Sequence, residues 1–205
     1  MSHLFISLLP AVSYFLAVPF YRQFEIESRY NDKSKIDSSN RVIASSALVN
    51  MFGILNLYDY TDREIERVDL LYIIYGILIT DTLEYFMHRL YHLTTLYTTF
   101  HKHHHSQLMA VDVSFLNSDF EALSTGLVLF LAYFSVLSYY EYLIISSLSM
   151  VATVSDHTYT SPTKFHQIHH HVNRNYKFQQ PFFTFWDHLL GTYHPKTSPK
   201  IPFIP

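Results

Sequence analysis

Cysteine is absent from the 205-residue chain. That excludes disulfides, thiolate haem ligands and cysteine zinc sites. Glycine is scarce, with four copies, and none falls in a GxGxxG or P-loop pattern, so there is no nucleotide-binding fingerprint. Charge is thin as well. Asp, Glu, Lys and Arg make up 15% of residues, against about 25% in an average soluble domain. The formal net charge of -3 offers no basic surface for nucleic acid. What fills the chain instead is apolar and aromatic. Hydrophobic residues reach 49%, aromatics 17%, with 17 Tyr and 17 Phe, and mean hydropathy is +0.07. Rings in that number are expected where helices meet lipid headgroups. The other outlier is histidine, at 14 copies, most of them in two tight clusters.

The length fits one domain. Its apolar runs are Leu4–Phe20, Val42–Tyr58, Val68–Met87, Phe120–Leu137 and Tyr142–Val154. A membrane span needs about 20 mostly apolar residues, with a range of about 17–25. The first four runs qualify. The fifth is short, and pairs with the fourth as a hairpin across the polar turn Ser138–Glu141. Leu4–Phe20 reads as a span rather than a signal peptide, because it has no basic segment before it and no small-residue cleavage site. The expected fold class is therefore all-α, a polytopic membrane bundle of four to five spans. Glu25–Asn40 reads as a surface loop or short helix. If the histidine clusters face the cytosol, so do Arg22, Arg29, Lys33, Lys35, Arg41, Arg89, Lys102 and the basic residues after Lys164. Only Arg63 and Arg67 then face the other side, which is the positive-inside bias.

Three histidine patterns carry the chemistry. His88 and His92 stand at i, i+4, which puts both rings on one helical face, one turn apart. Asp81 and Glu84 lie on the same stripe. Acids at the end of a span need partners, and their natural task is to accept the outer N–H of ligand histidines. His101, His104 and His105 form an HxxHH pattern on one face, with His103 turned away. His166, His169 and His170 repeat it, with His171 as the extra. Each cluster alone could be a solvated tract; three chelating spacings on one side of a membrane point to metal. His157 is a further candidate ligand, with Asp156 beside it to orient a ring. His3, His188 and His194 read as structural or surface residues.

Eight or nine imidazoles are too many for one ion, since zinc takes about four ligands. They fit two. Imidazole suits iron, zinc and copper alike, so the choice of iron rests on the chemistry. A site at the bilayer without a charged pocket suggests an apolar substrate, and attack on an unactivated C–H bond needs a redox metal and O2.

The segments Asp81-Thr-Leu-Glu-Tyr-Phe-Met-His88-Arg-Leu-Tyr-His92, Phe100-His101-Lys-His-His104-His105 and Phe165-His166-Gln-Ile-His169-His170 resemble the fatty acid hydroxylase (sterol desaturase) superfamily, from about Val68 to Tyr193. Within it, Thr153-Val-Ser-Asp156-His157, Asn117 with Glu121, and Asn175 to Thr192 are most similar to the sphinganine C4-hydroxylases. The resemblance implies a multi-pass, non-haem di-iron enzyme of the endoplasmic reticulum membrane. Its metal ligands would be His88, His92, His101, His104, His105, His157, His166, His169 and His170. It further implies O2-dependent hydroxylation of a lipid chain at C4 of a sphingoid base. Electrons would come from NAD(P)H through a separate cytochrome b5 and its reductase. On this reading residues 1–67 are N-terminal helices and a cytosolic loop, 68–194 the di-iron domain and 195–205 a Pro-rich tail. The chain departs from the family pattern in its short 158–165 segment, in Thr153 where some relatives carry another histidine, and in Asp119 where the Asn-x-Pro-x-Glu element has its proline. It is also short for the family, as a trimmed member would be. Two further readings stand beside this one: a sterol C4-methyl oxidase or C5-desaturase, which shares the histidine boxes, and a non-catalytic metal-binding or metal-transport membrane protein.

Overall fold

Apolar sequence with well-placed caps gives long helices here. The computed structural model describes residues 2–24, 32–60, 65–106, 111–115, 118–158, 165–171, 174–178 and 182–193, and these contain helices and no strand. The short helix α1 (Ser2–Ile6) leads into α2 (Leu9–Arg22), whose Pro10 sits in the first turn, where the missing N–H leaves no bond unmade. Helix α3 (Lys33–Val49) starts on Asp32, whose side chain accepts the Lys35 backbone N–H at 3.3 Å. A wide turn at Asn50–Ile54 carries it without a break into α4 (Leu55–Tyr60). Lys33–Asn40, expected to form a polar surface segment, are thus the opening turns of a long helix. Residues 25–31 lie outside the described residues.

Helix α5 (Leu70–Tyr91) is capped by Asp69 and followed by α6 (Thr94–Leu96). Helices α7 (Asp119–Phe134) and α8 (Tyr139–Asp156) make the expected hairpin. Its turn differs from the expectation. Ser138 and Glu141 are no loop but a capping box: the Ser138 hydroxyl accepts the Glu141 N–H at 3.2 Å, and the Glu141 carboxylate accepts the Ser138 N–H at 2.8 Å. The chain closes with α9 (Phe165–His171) and α10 (Phe185–Leu189). Three stretches are long and apolar enough to cross a membrane: His3–Arg22, Lys33–Tyr60 and Leu70–Tyr91. Helices α7 and α8 are not among them, so three spans meet the criterion where four to five were expected.

Helix α2 lies along α8 and α3, joined by buried Tyr14, Ala17, Val18, Ile43 and Val154. A second core joins α4, α5, α7 and α8 through Tyr58, Tyr133, Leu137, Tyr142 and Ile145. Helix α5 approaches α8 at Gly76, where a Cβ would fall 2.1 Å from Ile145 Cδ1. The tyrosines depart from the expected interfacial belt. Several are buried between helices with their hydroxyls satisfied: Tyr58 donates to the Leu137 carbonyl at 3.0 Å, Tyr139 to Ser7 Oγ at 2.8 Å and Tyr142 to Asn50 Oδ1 at 2.7 Å. A buried hydroxyl without such a partner costs about 1–3 kcal/mol. Phenylalanines supply much of the outer surface instead, among them Phe5, Phe15, Phe52 and Phe120.

The starts of α5 and α8 share one end of the bundle. There the fully buried Glu141 also accepts the Asp69 N–H at 2.8 Å and faces Arg67 at 3.7 Å. The C-terminal ends of α5 and α8, with His88 and His157, are at the other.

Candidate metal centre

A residue turns about 100° around a helix. Positions i and i+4 therefore lie about 40° apart, and i+3 falls about 60° to the opposite side. Each histidine box obeys this geometry. His88 and His92, at the end of α5, aim together. On α9, His166 and His170 aim together and His169 aims elsewhere. The middle box is not one regular helix as expected: a wide turn at Tyr97–His101 is followed by a tight one at His104–Ser106. Even so, His101 and His105 converge and His104 diverges.

The outcome is two groups. His88, His92, His101, His105 and His169 place one ring nitrogen each within 4.8 Å of one another, and His104, His157, His166 and His170 do the same. Each HxxHH box is divided between them. All nine histidines singled out in the sequence are in one group or the other. His103 is exposed, His188 stacks on Tyr193, and His3 contacts the Tyr140 hydroxyl, remote from both groups. The His171 side chain and His194 lie outside the described residues.

The spacing within each group suits a metal. Two nitrogens bound about 2.0–2.1 Å from one ion at about 90–110° stand about 2.8–3.4 Å apart. In the five-ring group His92 Nε2 lies 3.3 Å from His88, 3.1 Å from His101, 3.2 Å from His105 and 3.0 Å from His169. In the four-ring group His170 Nε2 lies 3.1 Å from His104 and 2.9 Å from His166. Hydrogen bonds between the rings cannot account for all of these contacts, because a neutral imidazole has one N–H and His92 Nε2 meets four neighbours. The outward Nδ1–H of His101 donates to Glu121 Oε1 at 2.7 Å, and that of His169 to the Tyr176 carbonyl at 2.8 Å. In the neutral rings the Nε2 atoms are consequently lone pairs turned toward their neighbours, and two such lone pairs repel unless a proton or a metal cation lies between them. His157 repeats the arrangement. Its Nδ1–H donates to the Thr153 carbonyl at 2.8 Å, and its buried Nε2 has no hydrogen-bond partner. The two groups adjoin where His105 stacks on His170, with centroids 4.3 Å apart.

Burial keeps six of these rings neutral. Desolvation, reinforced by neighbouring rings, pushes His92 down to about 2; desolvation takes His169 to about 3 and His157 to about 4. His105, His166 and His170 are held well below the ordinary imidazole range for the same reason. At neutral pH the lone pairs of these six rings are thus available without proton competition. His92, His105 and His170 are the half-buried members and form the approachable side. The Phe178 ring closes another side against His88, His92 and His169.

The acids are arranged differently from expectation. Asp81 Oδ1 accepts the Phe182 backbone N–H at 2.9 Å rather than a ring N–H. Glu84 and Asp156 hydrogen-bond to no ring nitrogen among the described residues. The carboxylate that does hold a ring is Glu121, buried at the start of α7. Its only sequence signal was its place beside Asn117, which itself lies outside the described residues. The Tyr176 and Thr153 carbonyls gave none, because a backbone oxygen has no residue type to read.

The family model described as fatty acid hydroxylase matches residues 73–192. The chain is 35% identical over 145 residues to a sphingolipid C4-hydroxylase of Schizosaccharomyces pombe, covering 60% of this chain and 48% of that one. It is 32% identical over 146 residues to a sphinganine C4-monooxygenase of Arabidopsis thaliana, covering 62% and 56%. Over 139 residues it is 28% identical to a very-long-chain aldehyde decarbonylase of Oryza sativa, covering 58% and 53%. The chain spans about half the length of these relatives. No solved structure matches it.

Proposed function

The chain belongs to the fatty acid hydroxylase family, and on that premise we propose that it is a membrane di-iron monooxygenase that hydroxylates C4 of a long-chain sphingoid base. The observation that carries this reading is the convergence of nine imidazoles into groups of five and four at one end of a bundle with membrane-length helices. The names of the fungal and plant relatives support the choice of substrate. Bound as an iron pair, the metals would let one atom of O2 enter a C–H bond while the other leaves as water, with two electrons drawn from NAD(P)H through cytochrome b5 and its reductase.

The protein's own part is to hold and orient. The five-ring group would hold one ion and the four-ring group the other. Glu121, the Tyr176 carbonyl and the Thr153 carbonyl fix the tautomers of His101, His169 and His157, so that Nε2 faces inward. Phe178 and the buried rings exclude water from all but the side at His92, His105 and His170. The apolar helices would keep the acyl chain at that depth, with the histidines on the cytosolic face of the endoplasmic reticulum. The domain reading follows, with 68–194 as the di-iron unit.

The test is expression in cells that lack their own C4-hydroxylase, with lipids read by mass spectrometry. The expected result is the appearance of 4-hydroxysphinganine. Unchanged sphingoid bases alongside altered sterols would reject the substrate. His104→Ala should abolish the product while membrane insertion persists; full turnover in that variant would reject its role as a ligand.

A further inference from the structure

The segment after the last histidine box folds back over α5 through one buried acid. Asp187 on α10 is fully buried. Its Oδ1 accepts the Thr192 hydroxyl at 2.6 Å and the Phe178 backbone N–H at 3.3 Å. Because Thr192 spends its one hydroxyl proton on Asp187, the Tyr85 hydroxyl must donate to Thr192, at 2.9 Å. Arg89 in turn donates to the Tyr85 oxygen at 3.1 Å. The bonds therefore run in one direction, from α5 to the carboxylate.

Asp187 also fixes a turn. The Lys177 N–H donates to the Thr192 carbonyl at 2.8 Å, and Lys177 has φ of 54°, a region that non-glycine residues seldom occupy. On one side of this turn the Tyr176 carbonyl accepts the His169 Nδ1–H; on the other, the Phe178 ring lies against His169. Asp187 grips the turn at the Phe178 N–H, two residues from that carbonyl.

We propose that Asp187 is a positioning residue for His169: it holds the turn whose Tyr176 carbonyl sets that ring, and so tunes the five-histidine group and not the other. The proposal rests on the two-metal reading. Loss of a partner that orients a ligand ring weakens metal binding about 10–100-fold.

The experiment is Co(II) titration against a competing chelator, with the full chain in detergent. Wild type should bind two ions. Asp187→Ala should weaken one of the two by about 10–100-fold and leave the other unchanged. In a His166→Ala background, which keeps the five-histidine group whole, the remaining ion should be the weakened one. Asp187→Asn keeps the Oδ1 acceptor and should stay near wild type. Lys177→Val, a β-branched residue ill-suited to positive φ, should reproduce the one-site weakening with Asp187 left in place, and it decides the matter if Asp187→Ala does not fold. Equal weakening of both sites, no weakening, or an Asn variant as weak as Ala overturns the proposal. Failure of wild type to bind Co(II) at all would instead overturn the two-metal reading, and the proposal with it.

Discussion

A partner on one nitrogen of an imidazole fixes which nitrogen the ring turns to a metal, and here the holding groups are unequal. Glu121 gives His101 a carboxylate acceptor at 2.7 Å, where His157 and His169 have carbonyls. Glu121→Ala should therefore weaken metal retention about 10–100-fold, with Glu121→Gln milder because an acceptor oxygen remains; metal analysis of the purified protein checks this. The buried rings also predict a pH response. His157 and His169 have folded-state values lowered to about 4 and about 3 by desolvation. They are neutral in the fold, while unfolded imidazole titrates near about 6.5. Above that pH they impose no penalty. As pH falls below it, the unfolded chain takes up protons that the fold refuses, and stability drops by up to about 1.4 kcal/mol per pH unit for each ring. Metal-free protein should show melting temperatures that are flat from pH 8 to 7 and fall steeply from pH 6.5 to 5. At this scale the ligand candidates were legible, because i, i+3, i+4 spacing is written in the sequence. Their partners were not. Glu121 lies 20 residues from His101, and no local periodicity connects them.

At the scale of helices, alignment of the two groups depends on α5, which carries His88, and α8, which ends at His157. Their close approach is at Gly76, against Ile145 Cδ1. Alanine is the better helix former by about 1 kcal/mol, yet Gly76→Ala should be destabilising on balance, since overpacking a closed core costs about 1–3 kcal/mol. Ile145→Val removes the clashing methyl and should recover most of the loss. Thermal melts of the single and double variants in detergent test this, and a stabilised Gly76→Ala would reject the close packing. Helix existence was legible from the apolar runs, but helix ends were not. Helix α3 begins at Lys33, nine residues before its apolar run at Val42, because Asp32 caps it and Ser39, Ile43 and Ala47 form a buried stripe at i, i+4. Helix α5 runs on to Tyr91 because His88 and Tyr91 are buried on the packed face. Ser138–Glu141 has the polar residues of a turn, but also those of a cap, and the cap prevails because both reciprocal bonds can form.

At the scale of the molecule, the fold sorts its charges by end. Arg22 pairs with the buried Asp112, and Ser39 near the start of α3 accepts the Phe115 N–H, on the side where the chain leaves the second histidine box. Arg67 sits with Glu141 at the opposite end. The 28 residues from Lys33 to Tyr60 extend about 42 Å, more than the roughly 30 Å hydrocarbon core, so both ends of that one helix should emerge from the bilayer. Lys33 and Tyr60 are both exposed, Tyr60 at 88%. Because the chain has no cysteine, a single introduced thiol reports its own position. On sealed microsomes with the cytosolic face outward, Lys33→Cys should react with an impermeant maleimide, and Tyr60→Cys should react only after detergent is added. The reverse pattern would put the histidine groups in the lumen, away from a cytosolic electron donor. Labelling of both thiols in intact vesicles would mean that this helix does not cross the bilayer. The expected pattern would place the half-buried His92, His105 and His170 at the cytosolic boundary, on the side from which the proposed electron supply would come.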